Sequence, residues 1–303
     1  MNGDPLPPAD VARIRQLAIP PAWTDVWICP YERGHLQAVG TDDAGRRQYL
    51  YHPAWREQRD ADKHLRVELM ARRLPSVRAR LRDRLAHPDT SRESVLALGV
   101  RLIDLGCFRV GSDEYAETNG SYGLTTMELR HLSRRGQEIV FRFDAKSSIE
   151  QEIAVADRDV IAAVGLLTRR RDKGARLLAW RDGRVWVDAT ANDLNEHLNE
   201  LFGADVTAKD FRTWQGTVIV AESLASVERA GSPTGRRRQV RAAIADAAEV
   251  LGNTPTVAEK AYVDRRVIDL FEDGHTIKPP APSLTDPDQR RDRLDRAVSR
   301  LLR

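Results

Sequence analysis

The sequence predicts an α+β fold: a small N-terminal antiparallel β-sheet domain with helices, then a larger, mostly α-helical domain carrying a three-stranded antiparallel sheet. Three observations carry this. Short runs rich in β-branched and aromatic residues fill residues 25–52 between turn-forming residues. From residue 60 the apolar residues recur at helical spacing. Strand-like runs return between residues 123 and 155, and a mainly helical remainder follows. With 303 residues, 41% hydrophobic and 31% charged, the chain is long enough for two domains, and collagen, coiled coil and wholesale disorder are excluded.

Taken in order, TDVWICP, HLQAVG and RRQYLYH read as strands separated by PYERG and DDAG, which are turn chemistry. Leu65, Leu69, Met70 and Leu74 mark a helix that ends at Pro75, and Val77, Leu81 and Leu85 a second one ending near His87 and Pro88. This places domain boundaries at 1–89, 90–275 and 276–303. Thr90 with Glu93 reads as a capping box opening a buried helix through Val95, Leu98, Leu102 and Leu105, stopped by Gly106. GLTTMEL, EIVFRF and IEQEIAV read as the three strands, joined by HLSRRGQ and DAKSS, so Lys146 falls on a hairpin tip. LNEHLNELFG ends at a C-cap glycine, and an Ala-rich helix spans residues 239–251. IKPPAPSLTDP behaves as a linker, after which an amphipathic tail, residues 288–303, is either loosely attached or packed back as a helix.

Cys29 and Cys107 have no metal-ligand or disulfide spacing, which fits a reducing, intracellular compartment. No apolar run approaches the roughly 18 residues of a membrane span, and MNGDPLPPAD lacks a signal-peptide layout. A cytoplasmic protein with no membrane partner is expected.

The basic residues are 42 Arg against 6 Lys, and the net charge is only +3. It is unevenly spread. Residues 46–84 hold 12 Arg and Lys against 5 Asp and Glu, net +7; residues 229–241 hold 5 Arg and no acid, net +5; the rest is net −9. Two basic segments on an otherwise acidic chain are the footprint of a phosphate backbone, although a solvated helix face gives a similar pattern. On a strand, Tyr49 and Tyr51 share one face and Gln48 takes the other, which offers aromatics for packing or an amide for base edges. No phosphate-binding loop, HExxH, GxSxG or metal-spaced His/Cys cluster occurs, which disfavours ATP-driven or metal-ligated chemistry.

Five residues stand apart: Arg109 in CFRVGSDEY, Lys146 in FDAKSS, Arg212 in AKDFRTW, Asn253 in LGNTP and Tyr262 in EKAYV. Singly, each has an ordinary structural role open to it. Together, with RVGSDEYAETNGSYGLTTM, KDFRTW and VLGNTPTVAEKAYV around them, they resemble the type IB DNA topoisomerases, in particular the small poxvirus-like enzymes of bacteria. Lys146 follows Arg109 by 37 residues and Tyr262 follows Asn253 by 9, as in that family. IPPAWTDVWI and GHLQAVGTDDAGRRQYLYH resemble the family's β-rich N-terminal domain, so the likeness covers roughly residues 15–275.

The resemblance implies relaxation of duplex DNA through a 3′-phosphotyrosine on Tyr262. Arg109 and Arg212 would stabilise charge on the phosphorus, Asn253 would add a hydrogen bond, and Lys146 would protonate the departing 5′-oxygen. No cofactor, ATP or metal is implied. Asn253 stands where the poxvirus relatives have His, keeping the donor but not the titration. Gln48, Tyr49, Tyr51, Tyr115, Lys209, Arg236, Arg237 and Arg238 are the expected DNA contacts of a monomer that clamps duplex DNA in the nucleoid. Whether residues 236–241 form a phosphate-binding segment or a mobile linker is open, with Pro233 and Gly235 favouring mobility. A site-specific tyrosine recombinase is the alternative, but such enzymes carry His-x-x-Arg where this chain has Lys209 to Arg212. A non-catalytic DNA-binding protein would leave the ordered set unexplained.

Overall fold

The computed structural model describes residues 6–111, 113, 116, 120–145, 149–170 and 174–303. The fold is α+β, and the chain divides into two compact units, residues 1–65 and 66–303.

The first unit opens with α1 (Pro8–Gln16), a proline-started helix with no buried residue and hence no apolar stripe to announce it. β1 (Thr24–Ile28), β2 (Leu36–Thr41) and β3 (Arg47–Tyr51) form an antiparallel sheet in that order, on the three runs that the sequence marks as strands. Asp42 closes the β2–β3 turn: its Oδ1 accepts from the N–H of Ala44 and of Arg46, and its Oδ2 from Gln48 Nε2. Hydrogen bonds from Arg46, the largest effect, hold its carboxyl at about 2.

α2 (Pro53–Leu85) is one helix where the sequence reads two, and the division between the units falls inside it. Pro75 removes an internal hydrogen bond at a cost of about 3 kcal/mol. Met70, Leu74, Val77, Leu81 and Leu85 are all buried around it, at roughly 1.5–3 kcal/mol for each large side chain. Packing outweighs the proline.

In the second unit α3 (Arg92–Gly106) is almost wholly buried. Its N-cap is Ser91, not Thr90: Ser91 Oγ accepts from Ser94 N–H, and Cys107 takes the left-handed cap at φ 54°. The run GLTTMEL is not a strand. Thr125 and Thr126 hydroxyls bond back to the carbonyls of Val110 and Gly123, which winds this stretch into two 3-10 turns that sink Leu124, Met127 and Leu129 into the core. The first strand, β4 (Leu132–Arg135), lies instead in the stretch read as a linker. It pairs with β5 (Glu138–Ala145), and β5 pairs with β6 (Ile149–Val155) in the register Ala145↔Ile149.

α4 (Arg158–Leu167) follows, then a hairpin, β7 (Ala179–Asp182) and β8 (Val185–Asp188), within the part read as mainly helical. Asp182 and Gly183 at its turn are the signature that marks it. α5 (Ala191–Phe202), α6 (Ala208–Ala225), α7 (Pro233–Leu251), α8 (Pro255–Tyr262), α9 (Arg265–Glu272) and α10 (Pro287–Leu301) complete the unit. Residues 236–241 belong to the opening turns of α7, capped by Ser232, so they are helix rather than linker. Among the described residues no helix is long and apolar enough to cross a membrane.

α10 packs back on the unit through Leu294, Val298 and Leu302 and through charge. Arg78 of α2 bonds Asp104 of α3 at 2.8 Å and Asp292 and Asp295 of α10 at 2.7 and 2.6 Å. Arg101 of α3 bonds Asp157 at 2.6 Å and Asp288 at 2.9 Å, and Trp214 Nε1 donates to Asp295 at 2.7 Å. Burial opposes ionisation of Asp104, but Arg78, Arg291 and Arg101 outweigh it and hold the carboxyl at about 2. Arg78→Met should strand these carboxylates and cost about 3–5 kcal/mol, read as a fall in unfolding free energy in urea.

Candidate active site

Arg109 leaves the end of α3 just after the left-handed Cys107. Its own carbonyl accepts from Leu124 N–H at 2.8 Å, and that of Val110 from Thr125 N–H at 2.8 Å, so the segment is pinned to the first 3-10 turn. The side chain crosses to the end of α7, where Nη2 donates to the Gly252 carbonyl at 3.0 Å and to Asn253 Oδ1 at 2.9 Å. Gly252 is the left-handed cap of α7 at φ 58°, and a Cβ there would also lie 2.4 Å from Gln151 Oε1 of β6, so two constraints require glycine. Asn253 is oriented in turn by Nδ2 donating to the Leu251 carbonyl at 3.0 Å.

Arg212 projects from α6 and is 4% exposed. Its Nη1 donates to the Cys107 carbonyl and its Nη2 to the Leu251 carbonyl, the latter at 2.7 Å, while Nε is buried with no hydrogen-bond partner among the described residues. Both arginines therefore rest on carbonyls at the C-terminal ends of α3 and α7, where the helix dipoles are negative.

Tyr262 is the last residue of α8. Its ring centroid lies 5.0 Å from Arg212 Cζ. α6 comes close enough here that a Cβ on Gly216 would lie 2.7 Å from the Tyr262 carbonyl oxygen. Thr217 Oγ1 sits 3.4 Å from the same oxygen and accepts from Asp264 N–H at 3.0 Å, which fixes the chain where it leaves the ring-bearing residue.

The electrostatics follow from this placement. Burial opposes ionisation of the Tyr262 phenol, but Arg212, Arg109 and Lys209 together outweigh it and hold the group below its ordinary value. Burial first, and then the neighbouring Arg212, hold the Arg109 guanidinium below the usual arginine range. Among the described residues no hydrogen-bond partner of Arg109 or Arg212 is a carboxylate. Arg78 and Arg101, each 3% exposed, are matched by aspartates. Two guanidinium groups with no carboxylate partner among the described residues, beside an acidified phenol, make a site for a phosphate-like anion. Among the described residues no cluster of three His, Cys, Asp or Glu could hold a metal ion.

The catalytic core of eukaryotic DNA topoisomerase I, as a family model, matches residues 52–276. The chain belongs to the type IB DNA topoisomerases. The N-terminal domain of bacterial DNA topoisomerase IB matches residues 2–42. A DNA topoisomerase 1B of Acanthamoeba polyphaga mimivirus is 28% identical over 280 residues, 89% of this chain and 82% of that protein. DNA topoisomerase I of Monkeypox virus and DNA topoisomerase 1B of Vaccinia virus (strain Copenhagen) are each 22% identical over 271 residues, 86% of this chain and 81% of each relative.

In this type IB topoisomerase the structure thus brings together Arg109, Arg212, Asn253 and Tyr262. Lys146 and Tyr115 lie outside the described residues. Lys209, on the first turn of α6, is exposed and acts on the Tyr262 phenol. Arg236 is held by Glu272 at 2.7 Å, whereas Arg237 and Arg238 are exposed on α7. In the first unit Gln48 is bound to Asp42, while Tyr49, Tyr51 and Trp55 form a stacked row with centroid separations of 6.3 and 4.6 Å. The sequence reading passes over the carbonyls of Cys107, Leu251 and Gly252, and over Gly216, Thr217 and Asp264. Gly252, just past an Ala-rich helical run, carried a readable signal for a helix end.

With Arg212→Gln, burial should face only Arg109 and Lys209, so the Tyr262 phenol should titrate at higher pH than in the wild type. Ultraviolet difference titration, with Tyr262→Phe as the blank, measures this.

Proposed function

We propose that this topoisomerase relaxes supercoiled duplex DNA by cutting one strand through a 3′-phosphotyrosyl bond at Tyr262 and resealing it, without ATP or metal. The observation that supports this is the pair of guanidinium groups, with no carboxylate partner among the described residues, at a phenol whose ionisation they favour. The Tyr262 oxygen attacks phosphorus, its proton passing to water. The bond from phosphorus to the 5′-oxygen breaks, and that oxygen takes a proton from Lys146. Charge gathering on the non-bridging oxygens is met by Arg109, by Arg212, whose Nε has no other partner among the described residues, and by the Asn253 amide. The phosphotyrosyl ester conserves the bond energy, so the 5′-hydroxyl reattacks after the strand has turned.

An amine suits the acid role because it releases a proton far more readily than a guanidinium. The enzyme acts as a monomer on cytoplasmic, nucleoid DNA. Tyr49, Tyr51 and Gln48 of the first unit and Lys209, Arg237 and Arg238 of the second contact the duplex, with Tyr115 and Arg236 in supporting contacts. The domain roles follow as N-terminal clamping segment 1–89, catalytic segment 90–275 and C-terminal segment 276–303.

Plasmid relaxation should proceed in EDTA without ATP and cease in Tyr262→Phe; relaxation by that variant would overturn the assignment. Lys146→Ala should slow strand cleavage by about 10²–10⁴-fold. Replacing the bridging 5′-oxygen by sulfur, which leaves without a proton, should restore most of the rate in single-turnover assays.

A further inference from the structure

α2 is the covalent passage between the two compact units, which divide at Leu65 and Arg66 inside a helix running from Pro53 to Leu85. It also lies in the basic segment, residues 46–84. Two charged side chains on its first turn within the second unit reach different parts of the active site. Arg66 Nη2 donates to Asp210 Oδ1 at 2.9 Å and Nε to Oδ2 at 3.4 Å. Asp210 is 2% exposed and stands two residues before Arg212 on the opening turn of α6. Glu68, 6% exposed, places Oε2 3.7 Å from Arg266 Nη2. Arg266 grips Asp264 at 2.7 Å, and Asp264 follows Tyr262 by two residues and donates its N–H to Thr217.

We propose that Arg66 and Glu68 are positioning residues through which α2, arriving from the N-terminal unit, sets Arg212 and Tyr262 in place for strand cleavage. The proposal rests on the roles given to Arg212 and Tyr262 above. Neither contact is needed merely to satisfy its partner. Asp210 Oδ2 already accepts from the N–H and the hydroxyl of Thr207, each at 2.9 Å, so α6 stays capped without Arg66. Arg266 already has Asp264 and the Leu302 carbonyl, the latter at 3.1 Å. What the two contacts add is location: they tie the opening turn of α6 and the segment after α8 to the same turn of α2. Because one member of each pair is buried, the pull between them is screened less than in a surface ion pair. A shift of about 1 Å at a reacting group can cost about 10²-fold in rate, so fixing these two elements matters more for rate than for stability.

The test uses the full chain. Covalent adduct formation on a duplex that loses its 5′ fragment is followed in single turnover at saturating DNA for Arg66→Ala, Glu68→Gln, the double variant and Arg66→Lys. Duplex affinity is measured by fluorescence anisotropy with Tyr262→Phe added, and melting temperature is recorded for each protein. Arg66→Ala and Glu68→Gln should each slow cleavage by about 10- to 100-fold, with affinity changed less than about 3-fold. Arg66→Lys should recover most of the rate, and the double variant should be slowed by less than the product of the single effects. Cleavage within about 2-fold of wild type would overturn the proposal, as would a slowing matched by lost affinity, or one accompanied by a lower melting temperature and not relieved by lysine. Adduct formation by Tyr262→Phe alone would instead remove the reading on which the proposal stands.

Discussion

Two guanidinium groups are kept in one site with no carboxylate partner among the described residues, and much of the second unit follows from that constraint. A carboxylate would hold each arginine firmly but would cancel the charge that an incoming phosphate needs. The fold uses carbonyl dipoles instead. The ends of α3 and α7 present the Cys107, Leu251 and Gly252 oxygens to Arg212 and Arg109, so the cations are held in direction by dipoles rather than by carboxylates among the described residues. This explains why both helices end in left-handed residues, Cys107 at φ 54° and Gly252 at φ 58°: each turns the chain so that its final carbonyls face the site.

The opposite solution appears around Asp104 of α3. Arg78 of α2 and Arg101 of α3 are buried with Asp104, with Asp157 ahead of α4 and with Asp288 and Asp295 of α10, and this pairing offsets desolvation. That network ties α10 to the end of α3, and Arg291 of α10 adds a hydrogen bond to the Asp104 carbonyl at 2.6 Å. α10 lies beyond the residues that match the catalytic core of the family, 52–276, yet it braces the helix end from which Arg109 departs.

The N-terminal strands were legible because their runs are short, β-branched and aromatic, with turn chemistry between them. Arg109, Arg212, Asn253 and Tyr262 were legible through the sequence blocks around them; physical reasoning on spacing alone would not have joined residues separated by more than a hundred positions. The groups that hold them are main-chain oxygens, which leave no mark in residue identity. The ion network was hidden for another reason. Arg78, Arg101 and Asp104 lie on charged helices and look solvated in sequence, yet they are 1–3% exposed. The +7 of residues 46–84 is correspondingly part footprint and part internal pairing, since Arg66, Arg72, Arg78 and Arg82 all have carboxylate partners. GLTTMEL misled because a short run of apolar and β-branched residues reads as a strand, whereas here the threonine hydroxyls bond back to the main chain and wind it into 3-10 turns.

Cys107 lends its carbonyl to Arg212, and its thiol is closed off from the chemistry. Burial, partly opposed by Arg212 and Arg291, pushes that thiol up to about 11, and Sγ is engaged with Gln215. At neutral pH the reactive thiolate is then on the order of one molecule in 10⁴. A cysteine two positions from Arg109 would ordinarily make the centre vulnerable to peroxide and to alkylating reagents. Here it is a buried packing group whose thiol is held neutral, the form that does not act as a nucleophile.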